Sequence, residues 1–229
     1  MKIFKDRQSA GKLLAGHLKQ YEGKKNTIVL AIPRGGVVVA KEVARNLKLP
    51  LDIIVTRKIG ALSQPELALG AVNADGEIIW EHKLSTQLKL RIDNGQLTIE
   101  IEKQKEEIRR REKVYRQDKG QLNIKRKTVI LVDDGMATGA TVLSAVRYIR
   151  RHQSGSQGTP ALSAGRRGRP CEAKLILAVP VASQDSIEKI KREVTEVVVL
   201  ETPDDFQAVG QFYYKFEPVT DVEVVQLLK

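Results

Sequence analysis

The sequence predicts an α/β fold on a parallel sheet, and three observations carry the prediction. Continuous β-branched and aliphatic runs, among them TIVLAI (27–32), TVILVD (128–133) and KLILAVPVA (174–182), mark strands buried on both faces. Segments with helical spacing of apolar residues alternate with them. The order strand, turn, helix, strand over 27–56 is a βαβ unit, which pairs its strands parallel through a right-handed crossover.

Residues 7–20 form the first amphipathic segment, with Leu13, Leu14 and Leu18 on one side. TIVLAI leads through PRGG into a helix over 37–47, and LDIIVT (51–56) is the next strand, ended by Arg57 and Lys58. LGAVNADGEIIW (69–80) reads as a hairpin turning at Asp75–Gly76. The charged stretch 86–116 carries Leu97, Ile101, Ile108 and Tyr115 at helical spacing, so a long surface helix is expected, its mixed charges giving i,i+4 support rather than a binding face. Strand 128–133 and a helix over 139–151 precede strand 174–182. Between them, 152–173 is rich in Gly, Ser, Pro and Arg and too long for an ordinary connection, so a disordered insertion is expected. A helix over 183–194 with Ser183 as N-cap and a strand over 196–203 complete the core. The tail holds three of the four Phe and two of the five Tyr, as a packing cluster or a stacking surface for a planar ligand.

Composition narrows the function classes. No apolar run approaches the roughly 18 residues a membrane span needs, and no secretion signal is expected at the N-terminus. The single Cys171 excludes an internal disulfide and fits a reducing compartment, the cytoplasm. His17, His82 and His152 are far apart, which argues against a protein-only metal site. The net charge of +11 fits a solubilising surface, a polyanionic small substrate or a nucleic-acid partner, and does not choose among them.

The stretch VDDGMATGAT (132–141) carries the chemistry. Ligands of open parallel sheets bind where strands end and helices begin, which is where Asp133 and Asp134 fall. Adjacent carboxylates would repel a phosphate but accept hydrogen bonds from a vicinal diol. Gly135, Met136, Ala137, Thr138, Gly139, Ala140 and Thr141 then form a loop whose small residues let backbone N–H groups point inward. Thr138 and Thr141 add hydroxyls, and the following helix N-terminus completes a cradle for one phosphate. A diol grip followed by a phosphate cradle suits a ribose 5-phosphate.

The segment VILVDDGMATGAT (129–141) resembles the phosphoribosyl pyrophosphate (PRPP) signature of type I phosphoribosyltransferases. IPRGG (32–36) stands where that family binds pyrophosphate, so the resemblance implies that Arg34, Gly35 and Gly36 do so here. That loop often carries a strained, sometimes cis, non-proline peptide. TRKIGALSQPELALGAV (56–72) matches a basic pair leading into a mobile loop, implying that Arg57 and Lys58 reach pyrophosphate or the 5-phosphate. With the tail DFQAVGQFYYKF (205–216), the pattern is similar to a prokaryotic branch of predicted phosphoribosyltransferases.

The resemblance implies one domain over 1–229, a three-layer parallel-sheet core with a small hood from about 1–22 and 203–229. It implies transfer of the phosphoribosyl group to a nitrogen nucleophile, a nucleobase by expectation, with Asp133, Asp134, Arg57 and Lys58 as catalytic residues. Mg²⁺ would be bound mainly through PRPP, and a homodimer is the family's usual state. Phe206, Tyr213 and Tyr214 are candidates for stacking a base or for packing, Asp204 and Asp205 for reading it or for capping a helix, and Glu66 is a weak candidate base. The alternative is a regulator on the same fold that senses PRPP and binds nucleic acid. Scattered charge and the lack of a nucleic-acid motif make such a partner unexpected.

Overall fold

The computed structural model describes residues 3–61, 64–80, 94–117, 119–120, 122–154 and 173–229. Its central sheet contains β1 (Thr27–Ala31), β2 (Leu51–Ile53), β6 (Thr128–Val132), β7 (Leu175–Val181) and β8 (Glu196–Glu201). The five strands run parallel in the order β2-β1-β6-β7-β8. Every residue of β1 and β7 is buried, as their unbroken apolar runs require.

Side chains alternate between two cores on opposite faces of the sheet. Val29, Ala31, Ile130 and Val132 point toward α1 (Arg7–Gly16), α2 (Gly35–Leu47), α3 (Asn94–Arg116) and α6 (Asp221–Leu227). Ile28, Leu30, Val129 and Leu131 point toward α4 (Ala140–Ser154) and α5 (Gln184–Ile190). A third cluster joins the chain's two ends, with Phe4, Ala10, Phe212 and Tyr213 closed over Val181 and flanked by Phe206, Val209 and Phe216. Main-chain bonds from Ile3 and Phe4 to the Phe212 carbonyl, both 2.9 Å, tie these ends together as the hood. This is the three-layer core and hood expected.

The structure corrects several expectations. The first helix ends at Gly16, and Leu13 is 57% exposed while Leu14 and Leu18 are buried. The second strand stops at Ile53. Arg57 and Lys58 do not lead into a loop but begin β3 (Arg57–Ala61), which pairs antiparallel with β4 (Gln64–Val72) and through it β5 (Ile78–Trp80). Gly76 turns the predicted hairpin with φ +79°. The predicted 86–116 helix is described from Asn94, with 81–93 outside the described residues. Ile108 and Tyr115 are buried as predicted, but so are Gln104 and Arg111, so this helix is not merely a solvated support. Of the predicted insertion, 155–172 lies outside the described residues. Ser183 does cap α5, accepting from Ser186 N, although α5 ends at Ile190, short of residue 194.

Helices α1 and α2 touch through Gly11. A Cβ there would sit 2.6 Å from the Val39 carbonyl oxygen and 2.8 Å from Glu42 Cβ. Because the obstacle is backbone, overpacking of about 1–3 kcal/mol should outweigh the roughly 1 kcal/mol gain in helix propensity for Gly11→Ala. Urea unfolding should therefore show the variant to be less stable, and a more stable variant would contradict this packing.

Candidate active site

Strand register brings the two chemically distinctive turns together. Thr27 pairs with Thr128 and Ala31 with Val132, so β1 and β6 end level, and Ile32 N–H donates to Val132 O at 3.0 Å. The PRGG turn thus lies against the DDG turn. The Pro33–Arg34 peptide is cis. Gly35 and Gly36 open α2 directly beneath the carboxylates. A Cβ on Gly35 would land on Asp134 Oδ2 and 2.8 Å from Arg7 Nε, and one on Gly36 would lie 2.8 Å from Asp133 Oδ1. The two glycines are therefore the floor that lets both acidic side chains fit.

Each carboxylate is held differently. Asp133 Oδ1 accepts the Asp134 backbone N–H at 2.8 Å. Asp134 Oδ2 accepts from Arg7 Nε at 2.7 Å, with side chains only 11% (Arg7) and 15% (Asp134) exposed. Arg7 also donates to Glu217 O at 2.8 Å and lies 3.7 Å from the centre of the Phe216 ring. Tyr213 Oη donates to Asp134 O at 2.6 Å, and burial pushes this phenol well up. Burial, reinforced by the neighbouring Asp134 charge, raises the Asp133 carboxyl well above its usual range.

The loop after the acidic pair divides its tasks. Gly135 leaves room for the hood, since a Cβ would come 2.6 Å from Val209 Cγ1. Met136 is buried, its N–H bonded to Val181 O at 2.9 Å and its carbonyl to Ser183 N at 3.0 Å. Both its main-chain groups are thereby engaged within the fold, and these bonds anchor the loop to β7 and α5. Ala137 O accepts from Ser183 Oγ at 2.6 Å. Thr138 is exposed, Gly139 has φ +81°, and Ala140 and Thr141 begin α4, whose first N–H groups have no intrahelical acceptor.

A cavity of about 470 Å³ opens here. It takes Arg34 and Gly35 from the first turn, Arg57 and Lys58 from β3, Asp133 and Asp134 from the end of β6, and Thr141 from α4. Helix α3 adds Glu100, Gln104 and Arg111, which sequence alone suggested were surface charge. Arg57 Nε donates to Gln104 Oε1 at 2.8 Å, and Gln104 Nε2 to Glu100 Oε1 at 2.7 Å. Arg34 lies 3.4 Å from Asp221, which also accepts from Tyr115 Oη at 2.5 Å and Arg110 at 2.8 Å. Tyr115, then Arg110 and Arg34, hold the Asp221 carboxyl down to about 2.

The aromatic tail packs rather than stands free. Tyr213 is buried against Phe4 and Phe216, so it offers no ring face to a base, and Phe206 packs on Phe212 with centroids 5.0 Å apart, inside the hood and away from the cavity lining. Tyr214 is 64% exposed. Asp205 accepts from the Gln207 side chain at 3.3 Å. The Glu66 side chain lies outside the described residues. Sequence reasoning missed Arg7, Gln104, Arg111, Tyr213 as a clamp, and Asp221. One signal was present, since positions 100, 104, 107 and 111 form a polar stripe at the same helical spacing as the apolar one.

A family model described as the phosphoribosyl transferase domain matches residues 3–217. The chain belongs to this family. A Mycobacterium tuberculosis protein provisionally named a phosphoribosyl transferase is 38% identical over 228 residues, covering 100% of this chain and 47% of the relative. The chain thus spans about half the length of the curated relatives it matches. The crystal structure of the Thermus thermophilus protein TT1426 is 38% identical, with a TM-score of 0.72 over 100% of this chain and 98% of that one. A hypothetical protein from Neisseria gonorrhoeae, crystallised with bound ppGpp, shares the fold at 12% identity and a TM-score of 0.50, covering 100% of this chain and 96% of that one.

Gly35→Ala should displace Asp134 and break its pairing with Arg7, so Tm should fall, and an unchanged Tm would contradict the glycine floor. The half-buried acidic pair also makes stability depend on pH. With its pKa raised by folding, Asp133 keeps a proton in the native state that the unfolded chain has already lost. This group's contribution to stability therefore falls as pH rises from about 4 through the raised value. Asp133→Asn should gain steadily on the wild type in urea unfolding across that interval, whereas parallel pH curves would refute the shift.

Proposed function

We propose that the chain transfers the 5-phosphoribosyl group of PRPP to a nitrogen nucleophile with release of pyrophosphate. The observation carrying this reading is the convergence of Arg34, Arg57, Lys58, Asp133, Asp134 and Thr141 on one cavity. These residues come from three separated stretches of chain, and each matches a chemical part of PRPP.

The 5-phosphate would enter the small-residue loop, where Thr138, Thr141 and the free N–H groups at the start of α4 donate to it. Asp133 and Asp134 would accept from the 2- and 3-hydroxyls and stabilise positive charge developing on the ribose. The diol would meet an Asp134 already bonded to Arg7 of the hood. Arg34, Arg57 and Lys58 would neutralise the leaving pyrophosphate, and losing one such donor typically slows reactions about 10²–10³-fold. The C1–O bond to pyrophosphate breaks, a C1–N bond forms, and the acceptor nitrogen gives up its proton to solvent or a base.

The family implies Mg²⁺. The oxygen donors that the cavity itself offers, the carboxylates of Asp133 and Asp134, suit a hard cation and would leave the rest of its shell to PRPP oxygens and water. When bound it supplies charge neutralisation to the pyrophosphate.

The acceptor would approach beneath the hood, and a nucleobase is the proposed class. A homodimer and a cytoplasmic site of action belong to the same reading. Among the described residues no helix is long and apolar enough to cross a membrane. No specific observation favours the PRPP-sensing, nucleic-acid-binding alternative.

The deciding experiment titrates PRPP with Mg²⁺ into the wild type and into Asp133→Ala/Asp134→Ala, then follows pyrophosphate release with a panel of bases. We expect PRPP binding to weaken at least about 100-fold in the double variant and base-dependent release only in the wild type. Equal binding by both proteins would overturn the assignment.

A further inference from the structure

Arg111 is buried, 7% exposed, yet it borders the cavity. Its Nε donates to Glu107 Oε1 at 2.7 Å, an i,i+4 pair along α3. Glu107 also receives two bonds from Arg110, at 2.7 and 3.0 Å, so its single charge is shared between two guanidiniums. Among the described residues Glu107 is the only hydrogen-bond acceptor of Arg111, which leaves the terminal N–H groups for the cavity it borders.

One i,i+4 pair, its carboxylate shared with Arg110, does not by itself offset the burial of a guanidinium. The surroundings make burial harder still. Arg57 faces the same cavity, and its guanidinium is destabilised first by burial and then by the charge of Arg111. Arg34 adds to the same repulsion. Three guanidiniums from the first turn, β3 and α3 border one cavity, and Asp221, Gln104 and Glu107 engage only part of their donors. Such an arrangement is stable in the company of a mobile polyanion.

We propose that Arg111 binds the pyrophosphate of PRPP, as a further forked donor beside Arg34 and Arg57. The inference rests on the PRPP reading above. It assigns α3, outside the signature loops, a direct part in holding the leaving group, with Glu107 positioning the guanidinium through Nε.

Calorimetric titration of the purified chain with pyrophosphate and Mg²⁺, and separately with ribose 5-phosphate, tests this. Arg111→Gln should weaken pyrophosphate binding about 10–100-fold, the range expected for lost charged hydrogen bonds, and leave ribose 5-phosphate within about twofold. Arg111→Lys keeps the charge without the fork and should fall between. If the glutamine variant fails to fold, the lysine variant decides, with weaker pyrophosphate binding at unchanged ribose 5-phosphate affinity as the supporting result. Unchanged pyrophosphate affinity, or equal weakening of both ligands, would overturn the role of Arg111 while leaving the PRPP reading standing if the wild type binds PRPP. A wild type that binds neither PRPP nor pyrophosphate would overturn both.

Discussion

Two adjacent carboxylates at the end of a buried strand set the terms for everything around them. Their mutual repulsion and partial burial are tolerable only if each finds its own counterpart. Asp133 takes the next backbone N–H, and Asp134 takes Arg7. Space for both exists only because Gly35 and Gly36 lie beneath them, and these glycines are there because β1 and β6 end in register. The hood is held by the same arrangement, since Arg7 reaches Glu217 and Phe216 while Tyr213 grips the Asp134 carbonyl.

The cationic side of the cavity is organised by networks rather than by isolated pairs. Asp221, at the start of a helix near the C-terminus, joins Arg34 to Tyr115 and Arg110 on α3. Gln104 in turn orients Arg57. Exposed ion pairs taken singly contribute little, but a shared acceptor fixes several long side chains at once. Basic groups are thereby aimed before any ligand arrives, which lowers the entropy lost on binding.

The central sheet was legible because strands buried on both faces leave unbroken apolar runs, and TIVLA and LILAVPV are of that kind. Asp133 through Thr141 stood out because a small-residue loop after two acids has few uses, and Asp133, Asp134 and Thr141 do line the cavity. Leu13 misled because helical spacing names a face, whereas the burial of α1 stops at the width of α2 and the hood. Arg57 and Lys58 looked like a loop entrance, since pairing with β4 is a tertiary event that local propensity does not carry. Arg7 could not be found from sequence at all, as its partner lies 127 residues away. Arg111 was hidden by a sound generalisation, that charges on a charged helix are solvated.

The two chain ends cross beside the acidic pair, through the Phe4–Tyr213 bridge and the bonds to Phe212. A growing polypeptide that has reached residue 201 already possesses every strand of the central sheet. It still lacks Tyr213 on the Asp134 carbonyl, Glu217 and Phe216 around Arg7, and Asp221 beside Arg34. During synthesis, then, the sheet is in place before the pocket is finished, and the stretch from Phe212 to Asp221 locks onto Phe4, Arg7 and Arg34, made much earlier.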